Sequence, residues 1–238
     1  MSIANVSEQI DYPESDGKPM GETDLHRDWM FRILEIIRYR YRGKSVYTAS
    51  DLLVYYKEGE PTKFIVPDNF VVLDCEPGRR RIFKTWEEQR VPDVVFEVTS
   101  RGTSSTDIVD KPVIYEQMGV KEYFLYDPTG SYLETPLIGF RLFNKSYHEI
   151  NRLHGRLTCE TLGIDLRLND GDLEMRDSET GAMLLTEAEA EHRAKEAERS
   201  AKEAERASKE IEQKARLSAE AQVRELQAEI ERLKRGER

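Results

Sequence analysis

Two acidic residues stand where an acid is costly. Glu97 lies inside Val94-Val95-Phe96-Glu97-Val98, and Asp68 follows Pro67 within the apolar stretch from Phe64 to Leu73. A carboxylate in a buried strand must be paired, hydrogen-bonded or bound to a cation. If the two strands are neighbours, about 4.8 Å apart, both carboxylates can meet on one face. That arrangement suits Mg2+, which takes one or two protein oxygens together with waters and a substrate phosphate. Such an ion lowers the pKa of its water and neutralises charge developing on phosphorus oxygens. A nearby lysine would complete the set by stabilising charge and orienting the attacking water. Asp93 shares a strand face with Glu97 but lies about 13 Å along the strand, too far to share one ion with it. Following Pro92, it fits a strand entry or turn better. Thr99 also shares the face of Glu97, at a point where a lysine would be convenient.

The elements that must position these groups are legible from spacing. Leu25, Trp29, Ile33, Leu34, Ile37 and Tyr41 recur at helical intervals, with Thr23 and Asp24 as an N-terminal cap and Gly43 as the stop. Val46 to Tyr56 reads as a strand, and Phe64 to Leu73 as a second strand interrupted at Pro67-Asp68. Arg81 to Lys84 is a short extended piece, and Asp93 to Thr99 a further strand. Asp107 to Met118 reads as a helix with Pro112 in its first turn, ended by Gly119. Glu122 to Asp127 is the next strand, stopped by Pro128, and the sequence to Met175 alternates short strands with turns such as Asn169-Asp170-Gly171. This order predicts an α/β (α+β) domain with a mixed central β-sheet flanked by helices.

The end of the chain is a different material. From Glu187 to Arg238 there are 14 Glu and 13 Lys or Arg in 52 residues, with no aromatic and no Pro. Ala194 to Ser200 repeats almost unchanged as Ala201 to Ala207, a seven-residue period. The seam runs through Ser208, Ile211 and Ala215, then reappears in shifted phase as Ala219, Val223, Leu226, Ile230 and Leu233. A long helix follows, either single and held by i,i+4 ion pairs or paired as a coiled coil that makes a homodimer. Three regions result: an extended lead-in over 1–20, a folded domain over 21–180 and a charged, alanine-rich helix over 187–238.

Charge and composition narrow the functions. The chain carries a formal net charge of −10, and residues 1–186 hold −9 of it. An acidic body exerts no long-range pull on phosphate, so a simple electrostatic nucleic-acid binder is disfavoured. A protein that reaches phosphate through a divalent cation or a local basic patch is compatible. Arg79, Arg80, Arg81 and Lys84 are the dense basic run of the body, and a solvated hairpin tip explains them. No run of eighteen apolar residues occurs, which excludes a helical membrane span, and the polar, acidic start does not read as a secretory signal. Cys75 and Cys159 form neither a disulfide framework nor a zinc knuckle, and a reducing, cytoplasmic compartment fits them.

Taken in order, Pro67-Asp68, Pro92 to Ser100, Asp107-x-x-x-Lys111-x-x-x-Tyr115 and Gly119 to Pro128 resemble the Uma-two family of restriction-endonuclease-like proteins. The likeness runs from about Met20 to Leu168 and includes Met20-x-x-x-x-x-His26 at the entry to the first helix. It implies a restriction-endonuclease-like core of the PD-(D/E)XK superfamily and metal-dependent hydrolysis of DNA phosphodiester bonds, with Mg2+ or Mn2+ as cofactor. On that pattern Asp68 is the first-motif aspartate and Glu97 the second-motif acid. Thr99 replaces the usual strand lysine, and Lys111 on the following helix stands in for it. Glu22 or Glu35 would add a metal-side carboxylate, and Tyr115 and Asp93 complete the candidates. Each has a plainer reading: Asp107 and Lys111 as a helix-surface pair, Tyr115 as a packed aromatic, His26 as a capping or solvated residue, Asp127 as a turn residue. The rival function is a catalytically degenerate nuclease fold that serves as an interaction platform through its coiled coil. A phosphate-transfer enzyme is disfavoured because no glycine-rich phosphate loop is present.

Overall fold

Seven side chains of the first helix, His26, Trp29, Met30, Ile33, Leu34, Ile36 and Ile37, are buried on one stripe, and that stripe decides where the helix lies. A computed structural model describes residues 10–16, 23–100 and 106–236. Helix α1 (Asp24–Arg40) starts at Thr23, whose extended backbone and hydroxyl cap the His26 N–H at 3.2 Å. Strands β1 (Val46–Ala49), β2 (Val54–Tyr55), β3 (Phe64–Ile65), β4 (Asn69–Leu73) and β5 (Phe83–Lys84) follow, then the single helical turn α2 (Thr85–Glu88) and strand β6 (Val94–Val98). A π-helical turn, Thr106–Asp110, leads into α3 (Lys111–Met118). Strands β7 (Glu122–Tyr126), β8 (Leu137–Phe143), β9 (Ser146–Glu149), β10 (Arg156–Cys159), β11 (Ile164–Asn169) and β12 (Asp172–Asp177) come next, and α4 (Glu187–Arg235) ends the order.

The main sheet has six strands in the order β1-β4-β6-β7-β8-β9. Only β6 and β7 run parallel, Val94 opposite Glu122 through Val98 opposite Tyr126, with α3 as their crossover. The sheet is therefore mixed, as the order of elements predicts. Its central strands are buried on both faces, so they read as near-continuous apolar runs. Val94, Phe96 and Val98 point to the α1 side, where they join Trp29, Ile33, Ile37, Phe124 and Tyr126. Val95 points the other way and joins Tyr115, Val120, Tyr123 and Leu125 beneath α3. Glu97, odd-numbered like Val95, falls on the α3 face. The antiparallel sheet β10-β11-β12 adds Leu157, Ile164, Leu166, Leu173 and Met175 to the α1-side core. Its second hairpin turns at Asp170 (φ 52°) and Gly171 (φ 93°), the two left-handed residues that a tight hairpin needs.

Two elements differ from the sequence expectation. The strand expected over Val46 to Tyr56 is two strands, because the chain turns at Asp51 (φ 50°) and β2 leaves to pair with β3 and β5. The helix expected over Asp107 to Met118 is regular only from Lys111, with Pro112 in its first turn and Gly119 (φ 84°) as its left-handed stop. Of the basic run, Arg80 grips Glu88 through two hydrogen bonds and lies 4.0 Å over the Tyr47 ring, and Lys84 pairs with Glu87. Asp127 is the turn residue expected: its oxygens accept from Thr129 N–H and Oγ1, Tyr132 N–H and Leu133 N–H.

The chain divides into two units, one up to Glu187 and one from Ala188 onward. The second is a helix with no buried residue, bearing i,i+4 pairs such as Glu198–Lys202 and Glu205–Lys209. Among the described residues no helix is long and apolar enough to cross a membrane.

Two outcomes are expected. A Cβ on Gly139 would come within 2.7 Å of the Phe124 ring, which itself stacks on Phe96. Gly139→Ala should therefore cost about 1–3 kcal/mol by overpacking, read as a lower urea midpoint at unchanged slope. Burial alone would raise the Asp127 carboxyl, but its four hydrogen bonds outweigh this and hold it below the usual range. Its contribution is then full above the unfolded value of about 3.9 and fades as pH falls through the folded value. The stability advantage of the native protein over Asp127→Asn should thus shrink below about pH 4 in urea titrations.

Candidate active site

Pro67 breaks the extended chain between β3 and β4, and Asp68 takes up the place where the ladder to β6 would continue. The pairing of β4 with β6 ends at Asn69 opposite Phe96. Beyond it the Asp68 side chain acts in place of a backbone carbonyl: Oδ2 accepts the Val98 N–H at 2.8 Å. The same oxygen lies 3.1 Å from Nε2 of His26, and the Asp68 carbonyl accepts from Ser50 Oγ at 2.6 Å. The Asp68 N–H, freed from the ladder, donates to Glu97 Oε2 at 3.1 Å. Backbone and side chain of one residue thereby tie the two acids together.

Glu97 is fully buried. Its carboxylate accepts from the Tyr115 hydroxyl on Oε1 at 2.5 Å, and from Lys111 Nζ at 2.8 Å and the Asp68 N–H on Oε2. An isolated charge at this depth would cost several kcal/mol, and these partners offset that cost. Lys111 and Asp68 are each nearly covered, with side chains 13 and 15% exposed. Burial raises the Tyr115 hydroxyl well above its ordinary range, and the negative charge of Glu97 adds to the rise, so it stays a donor. Lys111 and Tyr115 are four apart and so share a face of α3. The π-turn before them sits where the chain enters α3, an irregularity common at functional sites.

The structure thus brings Asp68, Glu97, Lys111 and Tyr115 together, and it adds His26. Sequence reading took His26 as a capping or solvated residue. Its N–H is indeed capped by Thr23, yet its ring is buried and turned to Asp68. The available signal was its place on the apolar stripe of α1, three residues before Trp29. Thr99 lies on the face of Glu97, buried, with an Oγ1 that has no hydrogen-bond partner among the described residues. Asp93 does other work: it accepts the Leu73 N–H at 2.7 Å and pairs with Lys121 at 2.7 Å, strapping β4 to the start of β6. Glu35 is exposed and stands nine residues beyond His26, about 13 Å along α1. Glu22 lies outside the described residues, and so does the side chain of Asp107.

Among the described residues no three His, Cys, Asp or Glu side chains cluster closely enough to hold a metal by themselves. Two carboxylates do converge, and the His26 ring and the Val98 N–H both meet Asp68 at Oδ2 rather than Oδ1. A pair of hard oxygen donors fits an ion that keeps most of its waters, as Mg2+ does, better than one that demands a full nitrogen or sulfur cage.

Comparison with known proteins places these residues in context. Residues 7–165 match the Uma2 family model, whose description is "Putative restriction endonuclease". A solved structure from Anabaena variabilis ATCC 29413, described as "a putative nuclease belonging to DUF820", is similar with a TM-score of 0.46 and 16% identity. The likeness covers 61% of this chain and 76% of that one. No curated protein matches.

Tyr115→Phe should leave the shape of the site intact and remove one donor from a buried carboxylate. The expected cost is about 1–3 kcal/mol of stability, measured by urea unfolding.

Proposed function

The chain belongs to the Uma2 family of restriction-endonuclease-like proteins, and from that premise we propose that it hydrolyses DNA phosphodiester bonds at Asp68, Glu97 and Lys111. The observation that carries the reading is the Glu97 carboxylate, buried in β6 and held by a lysine, a tyrosine and the backbone of the second acid. A fold that sought only stability would place an apolar residue there, since replacing a buried ion pair by packed hydrophobes is often neutral or favourable.

In this reading Asp68 and Glu97 would hold Mg2+ or Mn2+. Bound there, the ion would supply charge neutralisation on the phosphate and a more acidic water. The chain's own residues prepare the place. Tyr115 fixes the Glu97 carboxylate from one side, and the Asp68 N–H fixes it from the other. His26 and the Val98 N–H fix Asp68. The Lys111 ammonium, delivered from α3 rather than from β6 and bonded to Glu97, would donate to a phosphate oxygen or orient a water. Thr99 leaves the strand position without an amine, and Lys111 supplies it from across the sheet face.

The domain carrying this chemistry is assigned to 21–180, in a reducing, cytoplasmic compartment that suits two free cysteines. The charged helix over 187–238 is assigned to self-association into a homodimer. The acidic body supports weak DNA binding without a divalent ion, because little long-range attraction is available.

Incubating the purified protein with supercoiled plasmid tests the reading. Nicking is expected with Mg2+ or Mn2+ and not with excess chelator. Glu97→Gln and Lys111→Ala should each lower the rate at least about a hundredfold, the scale of losing one charge-stabilising group. Near-native circular dichroism would show the variants folded. Undiminished cleavage by folded Glu97→Gln would remove the assignment, and no cleavage by the native protein in either metal would leave the interaction platform.

A further inference from the structure

The seam of α4 changes character along its length. Between Ala194 and Ala215 it holds alanine, serine and a single isoleucine. From Ala219 it becomes Ala219, Val223, Leu226, Ile230 and Leu233, in steps of four, three, four and three. Those last four side chains are 53, 59, 51 and 72% exposed. Ion pairs of the earlier half, Glu191–Lys195, Glu198–Lys202 and Glu205–Lys209, lie beside the seam and do not cover it. So α4 keeps an apolar stripe, and its order of residues says what fits there.

In the seven-residue period Val223 and Ile230 occupy the first core position, and Leu226 and Leu233 the second. In a parallel coil, a β-branched residue at the first and leucine at the second favours two strands over three or four. The flanking charges choose the direction. In a parallel, in-register pair, Glu229 of one copy lies beside Lys234 of the other, and Gln222 lies beside Gln227. Reversing one helix over the same seam sets Glu229 against Glu229 of the second copy, a like-charge contact. The one-residue phase shift between Ile211 and Ala219 adjusts the supercoil locally without changing the partner.

We infer that α4 pairs with α4 of a second copy of this chain as a parallel, in-register, two-stranded coil centred on Ala219–Leu233. The inference rests on the self-association proposed above and does not depend on the nuclease chemistry. Parallel pairing brings both helix starts to one end of the rod. An antiparallel pair over the same seam would hold them apart by about 120 Å, because each start at Glu187 lies about 41 residues from the centre of the seam.

Light scattering on the full-length protein should give twice the 27.7 kDa chain mass. The Leu226→Glu, Ile230→Glu double variant should return to the chain mass. Ala219→Cys then reads the direction: the two introduced thiols are adjacent in the parallel pair but about 27 Å apart in the reversed one, eighteen residues along the rod. Under mild oxidation this variant should run as a covalent dimer, while the native protein, with Cys75 and Cys159 buried, should not. A dimeric mass without that crosslink would overturn the parallel arrangement and leave self-association standing. A dimer that survives Leu226→Glu, Ile230→Glu would overturn the seam, and a native protein of single-chain mass would overturn both.

Discussion

The negative charge of Glu97 is taken out of water in the middle of β6, and its neighbours are arranged around that fact. Lys111 balances the charge, the Tyr115 hydroxyl occupies one oxygen and the Asp68 N–H the other. Each partner constrains a separate element. Lys111 and Tyr115 fix the approach of α3 to the sheet, and Asp68 fixes the point at which the chain enters β4. His26 extends the set to α1 on the far side, through the Asp68 oxygen that also takes the Val98 N–H. One buried charge is thereby linked to both helices that cover the sheet.

Much of this was readable in the sequence, for definite reasons. An acid within Val94 to Val98 is conspicuous because its strand is apolar on both faces, and Pro67 announces that the next residue leaves the ladder. The interval from Lys111 to Tyr115 places both on one side of a helix. His26 was masked by its position, because a histidine three residues after a threonine cap looks like part of a helix start, and its place on the apolar stripe of α1 was the one contrary signal. Only the closure of α1 on the sheet end turns its ring inward. The break of the stretch from Val46 to Tyr56 was hidden for a similar reason: β-branched residues favour extended chain on both sides of Asp51, and only tertiary pairing moves β2 to another sheet. The π-turn before α3 carries no propensity signal of its own.

The two units of the chain follow different physical rules. In the first, nearly every apolar side chain of the central strands is buried, and the acids Asp68, Glu97 and Asp127 are hydrogen-bonded within the fold. In the second, charge pairs spaced by one helical turn support a helix with no core. Sequence period alone separates the two materials. The first shows alternation and 3.6-residue spacing mixed with turns; the second shows a repeat of seven with one shift of phase.

The Asp68 side chain closes the hydrogen-bond ladder at Val98 and meets the His26 ring with the same oxygen. The end of the ladder and the link to α1 are thus welded in one carboxylate, and selection can scarcely alter one without the other. A descendant in which these oxygens did no chemistry at all would still be under pressure to keep this aspartate, merely to stay folded.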